Sequence, residues 1–190
     1  MKLKPKFDRE RGLPFLLTAL VIFLDQASKA LIASKWPIGS RIWPAPEAFS
    51  FDNFLQIIHV RNTAIAFSIG NGFPDPLKRL LFVLLPVIVL AVLVWYYLSS
   101  EEFTKMQRWA VAGILGGGIG NIVDRVFRPE GVVDFISVRF YGIFGFERWP
   151  TFNVADASVV TSCLLLLLTM FLSGRKSEKS LPQNSREKAP

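Results

Sequence analysis

One cysteine and one histidine are all that this 190-residue chain carries of the residue types most often used to staple or metallate a fold. A lone cysteine, Cys163, excludes an internal disulfide framework. It lies inside an apolar run and reads as a small packing residue. His59 alone cannot build a histidine-rich metal site, and no Cys/His cluster exists in the sequence. Neither a metal nor any other cofactor is expected. Charge is also sparse: 19% of residues are charged against 51% apolar, and the mean hydropathy is +0.37. That is too apolar for an ordinary soluble domain and points to a membrane protein. The net charge of +7 could suggest nucleic acid, but its placement argues otherwise. Lys2, Lys4, Lys6, Arg9 and Arg11 lie at one end, and Arg175, Lys176, Lys179, Arg186 and Lys188 at the other. Basic tails flanking apolar spans are what the positive-inside rule produces.

What the chain has in abundance is apolar helix. A bilayer crossing takes about 20 helical residues. Four segments qualify: Leu13–Ala33, Leu80–Leu98, Trp109–Val126 and Val154–Leu172. The first, with its basic start, the apolar stretch Leu13–Leu24 and small residues at Ser28 and Ala30, has the outline of a cleavable signal peptide. Asp25 and Lys29 precede any plausible cleavage site, and three further spans follow, so a retained helix is the better reading. Four spans put both tails on one side, and their ten Lys/Arg place that side in the cytoplasm. The expected organisation is an N-terminal tail (1–12), a four-span membrane domain (13–173) and a polar, disordered C-terminal tail (174–190). The outer loops fall at about 34–79 and 127–153.

Both outer loops carry structure of their own. Phe49–Val60 is rich in Phe, Ile and Val, with "FDN" as a turn signal, and predicts one or two short strands. Phe135–Phe146 alternates aromatic and aliphatic residues around Gly142 and Gly145 and predicts a strand or interfacial segment. Trp36, Trp43, Trp109 and Trp149 sit near span ends, as in an aromatic belt.

Polar residues inside the spans narrow the chemistry. Asp25 and Lys29 are four apart, share a helix face and can pair. Asn121, Asp124 and Arg125 have i, i+3, i+4 spacing, and Asp124 can be neutralised by Arg125 or Lys29. Upstream, Gly113/Gly117 and Gly116/Gly120 form two GxxxG pairs, whose plain role is close helix packing. A phosphate-loop reading of this run fails, because no Lys-Ser/Thr follows it and no strand precedes it. Asn62 and Asn153 are candidate helix or turn caps, and Asn153 with Asp156 has the spacing of a cap and its N3 partner.

Two carboxylates remain in costly places. Asp134 stands in "VVDF" after the third span, and Asp156 opens the fourth. Alone, Asp134 reads as a solvated loop residue. Together, the two flank one outer loop and belong near the outer membrane surface. Paired carboxylates in a water-poor site share a proton, so one acts as acid and the other as base. Aspartic proteolysis needs that combination.

The stretches "DQASK" (25–29), "RNTAIAFS" (61–68), "GGGIGNIVDR" (116–125), "GVVDFI" (131–136) and "FNVAD" (152–156) resemble, in order, those of lipoprotein signal peptidase (signal peptidase II), a bacterial integral-membrane aspartic protease family. The resemblance implies an all-α membrane protein: a four-helix transmembrane bundle with a small extracytoplasmic β element. It implies a catalytic dyad of Asp134 and Asp156. Asp25, Lys29, Asn62, Asn121, Asp124, Arg125 and Asn153 fall at positions that support the site or contact substrate. The implied substrate is a prolipoprotein carrying diacylglycerol on its lipobox Cys, cut just before that Cys. The implied setting is the bacterial inner membrane, with membrane lipid as surroundings and the chain a monomer that binds no nucleic acid. Two departures stand out. Ala64 and Ile65 replace the usual Gly-Ala, and "YGIFGFERWP" lengthens the segment between the two aspartates. The rival reading, a multipass transporter or proton relay, would spread charges along a path through the bilayer.

Overall fold

The computed structural model describes residues 5–43, 54–63 and 72–179. "FDN", residues 49–53 of the predicted strand region, residues 64–68 with the Ala64–Ile65 departure, and residues 180–190 of the tail lie outside the described residues. Helices dominate. A short α1 (Arg9–Gly12), capped by the Asp8 side chain on Arg11 N–H, leads into α2 (Phe15–Lys35). A single turn α3 (Asp75–Arg79) continues through a π-helical stretch, Leu80–Leu84, into α4 (Leu85–Ser99). Next come α5 (Lys105–Phe127) and α6 (Val154–Lys179). Among the described residues, four helical stretches are long and apolar enough to cross a membrane: Arg9–Lys35, Pro76–Ser99, Lys105–Phe127 and Val154–Leu172.

These spans correct the predicted boundaries. Helix α5 begins four residues before Trp109 because Thr104 and Gln107 form a capping box, each side chain bonding the other's backbone N–H at 3.3 and 2.9 Å. The second stretch starts at the Pro74–Pro76 corner rather than at Leu80, proline being tolerated in a first helical turn. Helix α6 runs on to Lys179, so residues 174–179, expected to be disordered, continue the helix past the apolar span that ends at Leu172.

Helix α5 is the centre. It packs on α2, α4 and α6, and 56% of its apolar stretch is buried, against 11% for the second and fourth spans. Its glycines make this possible. A Cβ at Gly117 would lie 2.3 Å from Ala155 O, one at Gly113 2.1 Å from Ser162 Oγ, and one at Gly116 2.8 Å from Val21 Cβ. One pair therefore seats α6 and the other α2, the close approach expected of small-residue helix faces. Leu16, Leu20, Phe23, Leu164, Leu167, Leu168 and Phe171 point outward and exposed, the arrangement of lipid-facing surfaces.

A three-stranded antiparallel sheet, ordered β1 (Arg41–Trp43), β2 (Leu55–Asn62), β3 (Val132–Val138), sits at one end of the helices. Ile32, Val133 and Phe135 join α2 to the sheet in one apolar cluster. His59 serves this junction, with Nδ1 2.8 Å from Trp36 O. Strand β3 begins three residues before the predicted Phe135 and ends at Val138. Residues 141–146 form a turn instead, where Tyr141, Gly142, Phe144 and Gly145 all have positive φ and Ile143–Gly145 make a 3₁₀ turn. Two glycines that tolerate left-handed backbone break an otherwise strand-like alternation.

Candidate active site

The α6 N-terminus organises the site. Asn153 caps the helix: its Oδ1 accepts from Asp156 N–H at 2.9 Å, while Asp156 Oδ2 accepts from Asn153 N–H at 3.2 Å. The capping reading of this pair is therefore right, and it coexists with a second use. Asn153 Nδ2 donates to Asp134 Oδ1 at 2.7 Å and to Asn121 Oδ1 at 3.1 Å. Asn121 Nδ2 in turn donates to Asp156 Oδ1 at 2.7 Å. The two candidate carboxylates are thus linked through two asparagines, one on α5 and one on the α6 cap.

Asp134 lies within β3, not in a solvated loop, and is 2% exposed. Strand pairing of Val60 with Asp134 brings Asn62, at the end of β2, within 3.0 Å of Asp134 Oδ2. Asn62 is thus a carboxylate partner rather than a helix cap. Burial, and next the charge of Asp156, push the Asp134 carboxyl up to about 7, against the hydrogen bonds from Asn62 and Asn153.

Behind the pair stands a buried ionic group. Lys29 is 2.8 Å from Asp25 and 3.2 Å from Asp124, and it donates to Asn121 Oδ1 at 2.9 Å. Its three N–H groups are all used. Asp25 Oδ1 accepts from Ala155 N–H at 2.9 Å, placing a carboxylate at the positive end of α6. Asp124 Oδ2 accepts from Val133 N–H at 3.1 Å, one residue before Asp134.

Arg125 departs from the expected pairing. Among the described residues no carboxylate lies within salt-bridge distance of it; Arg128 bonds Asp124 at 2.7 Å instead. Neighbours at i, i+1 on a helix do not face one another, whereas i, i+4 neighbours do. Arg125 lines a cleft of about 1010 Å³ with Asn62, Thr63, Lys78 and Arg128, walled by Leu80, Phe82, Val83, Leu84, Val87 and Val126.

Two contributors escaped the sequence reading. Gln26 donates at 3.0 Å to each of Asp25, Asp124 and Gly120 O. Its signal was an amide beside Asp25 inside an apolar span. Arg128 was signalled by its i+4 spacing from Asp124.

Four membrane-length helices, with a carboxylate pair at the end that carries the sheet, define a multipass membrane enzyme of the aspartic type. The family model for signal peptidase (SPase) II matches residues 17–172, and the chain belongs to that family. It is 43% identical over 180 residues to a lipoprotein signal peptidase of Treponema pallidum, covering 93% of this chain and 92% of the relative. It is 46% identical over 167 residues to one of Treponema denticola, covering 88% and 93%. A solved bacterial membrane enzyme superposes with a TM-score of 0.73 at 27% identity, covering 96% of this chain and 99% of the other. A second superposes at 0.68 and 28%, covering 90% and 97%.

Proposed function

We infer that the protein is the endopeptidase that removes signal peptides from prolipoproteins in a bacterial inner membrane, cutting before a diacylglyceryl-modified Cys. Family membership and relatives of the same length named for this activity support the peptidase reading. The single observation that carries the mechanism is the asparagine-linked pair Asp134 and Asp156. Asp134, buried and with its carboxyl pushed up to about 7, keeps a proton up to neutral pH and is the acid. Asp156, at the mouth of α6, is the base. It takes a proton from water as the water attacks the scissile carbonyl, and Asp134 gives its proton to the carbonyl oxygen. Collapse of the tetrahedral species returns a proton to the leaving nitrogen.

Asp25, Lys29, Asn121 and Asp124 hold the pair in place. Asn62, Arg125 and the cleft take the substrate, whose acyl chains suit the apolar wall. The spans form a four-helix bundle, acting as a monomer, with tails 1–12 and 174–190 cytoplasmic and the 13–173 domain presenting its site at the outer face. The charged groups gather in one network at the sheet end, which disfavours a transport path. Incubating purified protein with diacylglyceryl-modified prolipoprotein should release a signal peptide and shift the product's size. No shift with that substrate, in detergent or in vesicles, refutes the reading.

A further inference from the structure

Charge balance in the buried group singles out a residue outside every stretch that carried the family resemblance. Asp25, Lys29 and Asp124 are each 0% exposed. Two carboxylates and one ammonium leave one negative charge over, and an uncompensated buried charge is expensive. Arg128, the C-cap residue that follows α5, supplies the second cation at 2.7 Å from Asp124 Oδ1, with its own side chain 23% exposed. Its backbone N–H also caps Asp124 O at 2.7 Å. Asp124 then has four donors: Gln26 and Arg128 on Oδ1, Lys29 and Val133 N–H on Oδ2.

Two short paths run from there to the reacting groups. Asp124 holds Val133, the neighbour of Asp134, in β3. Lys29, shared between Asp124 and Asp25, orients Asn121 so that its amide faces Asp156. The geometry points to Arg128 as a positioning residue for the reaction: it neutralises Asp124, so that the buried group can fix both carboxylates. The inference rests on Asp134 and Asp156 being the acid–base pair.

The charges that act directly on Asp134 are Asp156 of α6 and Lys29 of α2; behind them, bonded in one chain to Lys29, stand Asp25 of α2, Asp124 of α5 and Arg128 at the end of α5, with Arg125 of α5 nearby and Arg61 of β2 paired with Glu130 at 3.4 Å. Removing the Arg128 charge leaves this set one unit more negative. Asp134 should then keep its proton to higher pH, and the alkaline limb of kcat against pH should move up.

The test compares wild type, Arg128→Gln, Arg128→Lys and the double variant Asp124→Asn/Arg128→Gln on diacylglyceryl-prolipoprotein in micelles. Arg128→Gln should lose about 10–100-fold in kcat. Its alkaline limb should rise by about one pH unit. Arg128→Lys should restore the wild-type limb and most of the rate. The double variant should restore the limb without the rate. A merely structural role would reduce the active fraction and leave the limb in place, so an unmoved limb in Arg128→Gln overturns the inference. If Arg128→Gln fails to fold in detergent, Arg128→Lys decides: wild-type rate and limb support it, and an equally defective protein overturns it. Turnover by Asp134→Asn or Asp156→Asn would instead show that the acid–base assignment had failed, independently of Arg128.

Discussion

At the residue scale, the two aspartates tolerate their setting for different reasons. Asp134 is buried, and its neutral form is favoured; Asp156 is half-buried and bonded to Asn121 and to the N–H of Asn153. Replacing either by Asn keeps shape and some hydrogen bonding but removes one half of the proton cycle. Asp134→Asn and Asp156→Asn should each cut turnover by about 10²–10⁴-fold, and the double variant should be no worse than either single one. Near wild-type turnover of either purified single variant refutes the dyad. The Asp134 carboxyl also gives a pH signature. Its ordinary value is 3.8 and its folded value about 7. Between those values the unfolded chain has released a proton that the folded protein still holds, so stability should fall as pH rises through this window. Melting in detergent from pH 4 to 7 should show a declining Tm in wild type and a flatter trend in Asp134→Asn; an identical slope in both would contradict the burial argument. Turnover should also decline above about pH 7, as the shared proton is lost. Activity should survive strong chelation, since the roles of acid and base fall to carboxylates; a loss restored by added zinc would defeat that assignment.

At the scale of elements, apolar length made the four spans legible, and polar residues at helical spacing made much of the site legible. What the sequence left hidden was decided by partners distant along the chain. Asp134 in "VVDF" reads alone as a solvated loop residue; pairing of β3 with β2 puts it in a strand instead and delivers Asn62 as a partner. Asp25 looked like half of an intrahelical pair, yet it also holds the N-terminus of α6, 130 residues away. The aromatic alternation after Phe135 continued past the strand because only Gly142 and Gly145 betray the turn. The α5 glycines were legible as packing residues, but not which helix each one seats. That distinction is testable. A Cβ at Gly117 meets the Ala155 carbonyl at 2.3 Å, beside Asp156, and backbone there cannot yield cheaply. A Cβ at Gly118 meets only the tip of Leu90 at 2.9 Å, a flexible side chain. Gly117→Ala should destabilise by about 1–3 kcal/mol and depress turnover, while Gly118→Ala should stay near wild type in both. Thermal melts and assays of the two purified variants would decide, and equal behaviour would remove α5–α6 contact as the reason for the glycine.

At the scale of the whole molecule, orientation follows from where charge and chemistry sit along the spans. The sheet, the carboxylates and the α6 N-terminus share one end of the helices. At the other end the N-terminal segment packs on the end of α4 and the α4–α5 connection, through Lys6 bonded to Glu101 at 2.7 Å and Arg11 Nη2 donating to Ser100 O at 3.4 Å, with Tyr97 OH donating to Arg11 O at 2.7 Å. Helix α6 starts at the sheet end and runs away from it, so the C-terminal tail leaves on the N-terminal side. Those two tails carry ten Lys and Arg, and basic flanks are retained in the cytoplasm. The first outer loop carries Lys35, Arg41, Arg61, Lys78 and Arg79 and weighs the other way. Two of its cations are engaged near the site: Arg61 pairs with Glu130, and Lys78 lines the cleft. Their presence there has a local use, so the tails should set the orientation. In a Cys163→Ser background, a single cysteine placed at Phe144, 84% exposed in the turn before α6, should react with an impermeant maleimide in intact cells whose outer membrane is opened. A cysteine at Pro5 or Pro190 should react only after the inner membrane is breached. The reverse labelling pattern would invert the topology and put the carboxylates on the cytoplasmic side, where a translocated prolipoprotein could not present its lipidated cysteine to them.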